Sequence, residues 1–399
     1  MNILYICHRF PYPPNRGGKI RPFNTIRHMT QRGHRVYVGS VTRSEAEASK
    51  IQGISAHCEK YHAEPVQAWR QNLRTVSRLP TLAPSSFGYF YSRGLAAKVQ
   101  QWLRDVPFDL IFVHCSSVAQ YVSGVTGIPK ILDFGDMDSQ KWLDYSRFRA
   151  FPLSLGFWLE GVKLERIEKQ LARSFDFCTT TTRAELDTLN SYGTGAETGW
   201  FPNGVDSSIF SPAENAYEPH TLSFIGRMDY YPNQECMINF CHNTLPLLRV
   251  QIPNVRLLII GASPPPHIQR LAELPGVTVT GSVPDVRPYV HRSAVMVAPL
   301  NVARGTQNKI LEAMAMGVPV VSSHLATRGV DCVEGEHQLS ASTPQEYTAA
   351  ILRVLRDPAE RARLGAAGRQ FVLSHHSWPG SMQRLDAIME RVLSGRRSA

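Results

Sequence analysis

Short aliphatic runs alternate with helix-length stretches along the whole of this 399-residue chain, in two successive series. That alternation is the pattern of parallel sheets with helices on both faces, where each strand is buried on two sides and reads as a continuous apolar run. The first series predicts strands over 2–6, 34–41, 109–114, 130–134 and 177–181. It also predicts a helix over 19–32 closed by Gly33 and a long, rather polar helix over 154–173. The second series predicts strands over 221–225, 255–260, 277–281, 295–299 and 319–322. Pro202, Asn203 and Gly204 favour a turn and mark the hinge between the series. The expectation is an α/β protein of two doubly wound, Rossmann-like domains, 1–204 and 205–378, facing each other across a cleft at the carboxyl ends of both sheets. Trp378-Pro379 opens a last helix over 379–394; the segment 379–399 is expected to pack back on the first domain. Segment 64–95 has no clear strand and mixes Arg70, Arg74, Arg78 and Arg93 with Trp69, Phe87, Tyr89, Phe90 and Tyr91.

A chain this long exceeds one compact core, which agrees with two domains. Its seven cysteines are scattered and never form a CxxC pair, which argues for reduced thiols in a cytoplasm and against a disulfide framework or a zinc ribbon. The strand-like Asn2-Ile3-Leu4-Tyr5-Ile6 stands where a signal peptide would, and no apolar run approaches the ~18 residues of a membrane-spanning helix. A cytoplasmic protein is expected, soluble or peripheral at the inner face of the cytoplasmic membrane. The net charge of +10 is uneven: residues 1–205 hold 25 Lys and Arg against 17 Asp and Glu, and the remainder 18 against 16. Without Cys/His fingers, ribonucleoprotein aromatics or a dense basic run, the excess points to an anionic membrane surface or acceptor, with no nucleic-acid partner.

Residues 305–321, Gly-Thr-Gln-Asn-Lys-Ile-Leu-Glu-Ala-Met-Ala-Met-Gly-Val-Pro-Val-Val, carry the most chemistry. Lys309 and Glu312 are three apart on a short helix and share a face; Gly317 ends the helix, and Pro319-Val320-Val321 begins a buried strand. Free N–H groups at such a helix start, with a lysine one turn in, suit a phosphate, and the carboxylate beyond can accept hydrogen bonds from ribose hydroxyls. The alternative is an ordinary amphipathic helix with a surface Lys/Glu pair. In the same half, Arg227 follows a strand and Gly226, well placed to hold a diphosphate or simply exposed. Gly281-Ser282-Val283-Pro284-Asp285 offers backbone groups to a base.

In the first half, Gly17-Gly18 ends the first strand–helix turn and lets the backbone approach negative charge, or makes a plain turn. It is no P-loop, because Pro13 replaces the first glycine and Ile20 the Ser or Thr. His114 closes a strand and so points to the cleft, or caps the strand end. The next strand runs into Asp133-Phe134-Gly135-Asp136-Met137-Asp138. Carboxylates there suit Mg²⁺, a general base or a sugar hydroxyl, and Asp138 suits a helix N-cap; Asp136 is the candidate.

Taken together, the chain resembles the retaining glycosyltransferases of family 4, which have the GT-B fold. The resemblance rests on Gly17-Gly18, His114, Phe201-Pro202-Asn203-Gly204-Val205-Asp206, Phe224-Ile225-Gly226-Arg227 and above all Leu311 to Val321. Within that family it looks most like sugar transferases of bacterial exopolysaccharide loci, including those of PEP-CTERM/exosortase systems. The resemblance implies a nucleotide-sugar donor on the second domain and a glycan or polyprenyl-linked acceptor on the first, with no cofactor and no metal. Arg227 would hold the diphosphate, with Lys309 and the backbone at Gly305-Thr306, and Glu312 the ribose. The Gly17-Gly18 loop would close over phosphate or sugar, with His114 near the anomeric carbon and Asp136 orienting groups there. Two positions depart from the family: Arg304 replaces a glutamate that commonly touches the donor hexose, and Asn233 replaces a common lysine. The rival readings are a GT-B nucleotide-sugar epimerase and a non-catalytic nucleotide-sugar-binding subunit of a polysaccharide assembly.

Overall fold

Ile3, Leu4, Tyr5, Ile6 and Cys7 are all fully buried, as a strand with helices on both faces requires. They form β1 (Asn2–Cys7), near the middle of a sheet with β2 (Arg35–Thr42), β3 (Lys60–Pro65), β4 (Leu110–His114), β5 (Lys130–Gly135), β6 (Phe177–Thr180) and β7 (Thr198–Trp200). The strand order is β3-β2-β1-β4-β5-β6-β7, and every pairing is parallel. In this computed structural model the described residues are 1–42, 47, 49–213 and 217–395. The chain divides into two compact units, Met1–Pro202 with the segment from Met382 onward, and Asn203–Ser381.

The second unit repeats the plan with β8 (Glu218–Ile225), β9 (Arg256–Ile260), β10 (Val277–Gly281), β11 (Ser293–Ala298), β12 (Val320–Ser323) and β13 (Leu339–Ala341). Their order is β10-β9-β8-β11-β12-β13, again all parallel. Each sheet reverses its winding once, between β1 and β4 in the first unit and between β8 and β11 in the second. Loops at the carboxyl ends of those strand pairs diverge and leave a crevice, which is where open α/β sheets take their ligands.

The central strands lie where the sequence predicts them. Three edge strands, β3, β7 and β13, were not predicted. They are short, and β3 and β7 are only partly buried, so their sequences lack a continuous apolar run. Segment 64–95 is largely helical, with helices Ala68–Ser77 and Ser85–Tyr89. The final helix runs Trp378–Gly395, with His28 Nε2 2.9 Å from Asp386 Oδ1; residues 396–399 lie outside the described residues. Among the described residues no helix is long and apolar enough to cross a membrane.

Candidate active site

In the first unit the switch point sets Cys7 at the end of β1 beside His114 at the end of β4. His114 in turn is in register with Asp133 of β5, and its Nδ1 lies 2.8 Å from Asp133 Oδ2. Helix Gly17–Gln31 brings Arg21 to the same carboxylate, Nε donating at 2.7 Å to Oδ2 and one terminal nitrogen at 2.9 Å to Oδ1. Thr179 Oγ1 donates at 3.0 Å to Oδ1. Arg21 also donates to the Phe201 carbonyl at 2.8 Å and lies 3.5 Å over that phenyl ring. Burial alone would push the Asp133 carboxyl up; Arg21, then the hydrogen bond from His114, outweigh it and hold it well below the usual carboxylate range.

Gly18 stands at the opening of the same helix, where an added Cβ would lie 3.6 Å from His8 Nε2 and 3.3 Å from Arg9 Cδ. His8 is 5.5 Å, ring to ring, from His114. The Gly17-Gly18 turn, His8 and His114 therefore share one spot over β1 and β4. Beside Gly18, the buried Lys19 reaches Glu47 Oε1 at 2.8 Å. Asp136 stands apart from His114's hydrogen bonds and accepts from Thr181 Oγ1 at 2.8 Å. Asp138 opens helix Asp138–Arg147, whose N-cap is Met137 instead. Arg21 and His8 are not singled out by the sequence, and of its three carboxylates there the sequence favours Asp136 over Asp133. A carboxylate inside an otherwise apolar strand, KILDFG, was the available signal, since a charge there requires a partner.

In the second unit, Lys309 and Glu312 lie on helix Asn308–Ala315, which starts at Gln307 with no side-chain cap and no acidic residue in its first turn. Gly305, in left-handed conformation at φ 62°, precedes it. An alanine Cβ at Gly329 would sit 2.2 Å from the Gly305 carbonyl, so the loop is tightly seated. Gln307 Nε2 donates to the Arg304 carbonyl at 3.1 Å. Thr306 Oγ1 is buried with no hydrogen-bond partner, an unused hydroxyl at the start of a helix. Lys309 Nζ donates at 2.6 Å to Asn233 Oδ1 and lies 4.3 Å over the Phe224 ring. Asn233 Nδ2 donates at 2.8 Å to the Arg227 carbonyl. Asn233 thus ties the loop after β8 to the start of the helix, and brings the Arg227 backbone and Lys309 together at the β8/β11 switch point.

The Arg227 side chain, a little over one third exposed, turns to Asp229, with Nε 3.0 Å from Oδ1. Burial lowers the Lys309 ammonium to about 8, with Cys236 and Glu312 opposing the shift. Burial likewise raises the Glu312 carboxyl to about 7, with Lys309 opposing. Burial thus sets both residues to titrate close to neutral pH, where an arriving charged or hydrogen-bonding group shifts them readily. Glu235, another residue missed in the sequence, accepts from Asn301 Nδ2 at 2.8 Å through Oε1 while its Oε2 is buried without a partner. Among the described residues no group of three His, Cys, Asp or Glu side chains is placed to hold a metal ion.

Two Rossmann-like units, each with candidate residues at its switch point, define the GT-B class of glycosyltransferase folds. Residues 16–209 match the family described as Glycosyltransferase Family 4, and residues 219–357 that described as Glycosyl transferases group 1. The chain belongs to family 4 of the GT-B glycosyltransferases. It is 30% identical over 133 residues to a glycosyltransferase 1 domain-containing protein 1 of Xenopus tropicalis, covering 32% of this chain and 38% of that one. It is 26% identical over 315 residues to a phosphatidyl-myo-inositol mannosyltransferase of Mycobacterium leprae, covering 76% of this chain and 78% of that one. The chain therefore spans well under half of the first relative's length and most of the second's. The crystal structure of Anabaena HepE in complex with UDP and glucose shares the fold, with a TM-score of 0.69 and 14% identity over 98% of this chain and all of that one.

Proposed function

We propose that this protein transfers a sugar from a nucleoside-diphosphate sugar to an acceptor hydroxyl with retention of anomeric configuration. The observation that carries the reading is the Lys309–Asn233–Arg227 link. It holds a desolvated cation beside an uncapped helix start and the unused Thr306 hydroxyl, a constellation that one diphosphate would complete. Glu312, one turn on, takes the ribose hydroxyls. As the glycosidic bond breaks, negative charge gathers on the departing diphosphate. Lys309, the backbone N–H groups around Gly305 and Thr306, and Arg227 once released from Asp229 stabilise it. The acceptor attacks from the side the diphosphate leaves, and that leaving group takes the acceptor proton. The Gly17-Gly18 turn closes over the donor's phosphate or sugar, with His114, held by Asp133, near the anomeric carbon, and Asp136 orients groups there.

A lipid-linked or polysaccharide acceptor in cell-surface or exopolysaccharide synthesis fits the basic first half of the chain. The likeness to an enzyme named for mannosylating phosphatidyl-myo-inositol supports the lipid form. The test is a thermal-shift screen against UDP-, GDP- and ADP-sugars, followed by product analysis of any stabilising donor with and without a polyprenyl-phosphate-linked acceptor. Stabilisation by one donor class with sugar transfer is the expected result. Epimer formed from the donor alone, or binding with neither transfer nor slow donor hydrolysis, would overturn it.

A further inference from the structure

Helix Leu153–Ser174 of the first unit buries Glu160, Gly161, Leu164, Glu168 and Leu171 along one side. At 100° per residue the opposite side is Leu155, Trp158, Leu159 and Val162, each between 43% and 49% exposed. Phe151, at 79%, and Leu153 carry that apolar stripe past the helix start. Helix Ala68–Ser77 repeats the inversion: its buried residue is the polar Gln71, while Trp69, Leu73 and Val76, spaced four and three apart, are exposed. Leu79 and Leu82 continue it. The two segments are joined rigidly, because Lys163 Nζ donates to the Leu79 carbonyl at 2.8 Å and the Glu160 carboxylate accepts from Ser85 N and Ser86 N, each at 2.9 Å. Eleven large apolar side chains on two adjoining segments exceed what a surface in water carries without a partner.

The charge carried by these two segments is mainly positive. Residues 65–104 contain no Asp or Glu, and neither do residues 145–159. Arg70, Arg74, Arg78, Arg147 and Arg149 lie within the same segments. A second copy meeting this face about a two-fold axis would set arginine against arginine. An anionic bilayer meets both features at once: apolar and indole side chains enter the headgroup boundary while the guanidinium groups pair with lipid phosphates. No described helix spans, so the protein would lie on the surface.

We propose that the face formed by residues 69–82 and 147–162 docks the protein on an anionic membrane. This goes beyond the transfer reading and stands without it. The test uses the full chain in flotation with vesicles of phosphatidylcholine alone or mixed with phosphatidylglycerol, and follows tryptophan emission with brominated acyl chains. Binding to the mixed vesicles, with a blue shift and bromine quenching absent from Trp69→Ser/Trp158→Ser, is expected. The variant Leu82→Ser/Phe151→Ser/Trp158→Ser should bind at least ~10-fold more weakly, and each neutralised arginine among Arg70, Arg147 and Arg149 should cost roughly fivefold. Far-ultraviolet circular dichroism and the thermal midpoint of the variants should match the wild type and show that they fold. Failure of the wild type to bind mixed vesicles, equal binding by the apolar variant, or a dimer abolished by that variant in place of vesicle binding would each overturn the proposal.

Discussion

Replacing Asp133 by asparagine keeps the size of the side chain and removes one buried charge. In the wild type that carboxylate, with no exposed surface, accepts from Arg21 twice, from His114 and from Thr179. Arg21, at 2% side-chain exposure, then loses its carboxylate partner. Taking one partner from a buried pair costs about 3–5 kcal/mol, because the remaining charge keeps its desolvation penalty and loses its compensation. Arg21's bonds to the Phe201 and Thr180 carbonyls moderate the loss and favour the lower end of that range. For a unit of about this size each kcal/mol lowers the midpoint by roughly 2–4 °C, so a fall of at least ~6 °C is expected. Trp69, Trp102, Trp142, Trp158 and Trp200 all lie in the first unit and only Trp378 in the second, so tryptophan emission follows the relevant transition. Because folding depresses the Asp133 pKa, its contribution is fully present above the unfolded value of ~3.9 and is lost as pH falls through the folded one. The gap between wild type and variant should therefore be widest near neutrality and narrow below about pH 4. A loss under ~1 kcal/mol at pH 7, the value of an exposed pair, would refute the claim that this network holds the unit's switch point together.

Glu312→Ala and Arg227→Ala should each reduce kcat/KM for donor by roughly 10- to 100-fold, the value of a charge-assisted hydrogen bond or two, with unchanged circular dichroism; wild-type turnover in both would remove the donor site from this position. Donor affinity should peak between pH 7 and 8: below about 7 Glu312 is protonated and accepts poorly, and above about 8 Lys309 is neutral. Calorimetry in buffers of different ionisation enthalpy should show proton uptake on nucleotide binding above pH 8, and a flat profile would contradict the assignment. Gly261→Ala would put a Cβ 1.7 Å from the Gly226 carbonyl and push the Arg227 loop outward; a loss of about 1–3 kcal/mol in urea titration and weaker nucleotide binding are expected. Asn233→Lys alone should weaken nucleotide binding, and Asn233→Lys/Lys309→Gln should recover it, as read by thermal shift.

Central strands announce themselves because burial on both faces leaves no room for polar residues, so IVLF-rich runs such as Leu110–His114 mark β4 directly. The edges do not: KYHAEP of β3 reads as loop because one side of it meets solvent. The same division runs through the candidate sites. Lys309 and Glu312 are visible in sequence since three residues on a helix fix a shared face. Asn233 lies 76 residues away, and nothing local says that its amide meets Lys309. His114 is visible as the last residue of a strand, but its partner depends on the register that pairs it with Asp133. Arg21, 112 residues from Asp133, is hidden for the same reason: an arginine in a helix is usually on the surface, and only the packed fold gives it a carboxylate. Local periodicity is written in the chain, whereas a buried polar pair is written in the topology.

The two departures from the family pattern can be weighed together in the same physical terms. At Asn233 the expected lysine is missing, yet the amide oxygen holds the Lys309 ammonium at 2.6 Å and the amide nitrogen holds the Arg227 carbonyl at 2.8 Å. An ammonium at position 233 would face another at hydrogen-bond distance, in a place where burial already costs Lys309 part of its charge. Asparagine at 233 gives Lys309 that place without setting two ammonium groups side by side. At position 304 an arginine replaces a carboxylate, while the Glu235 Oε2 is buried without a partner and Oε1 is taken up by Asn301. A buried carboxylate oxygen with no donor is costly unless a ligand hydroxyl completes it, which makes Glu235, on the helix after β8, a candidate acceptor in this unit.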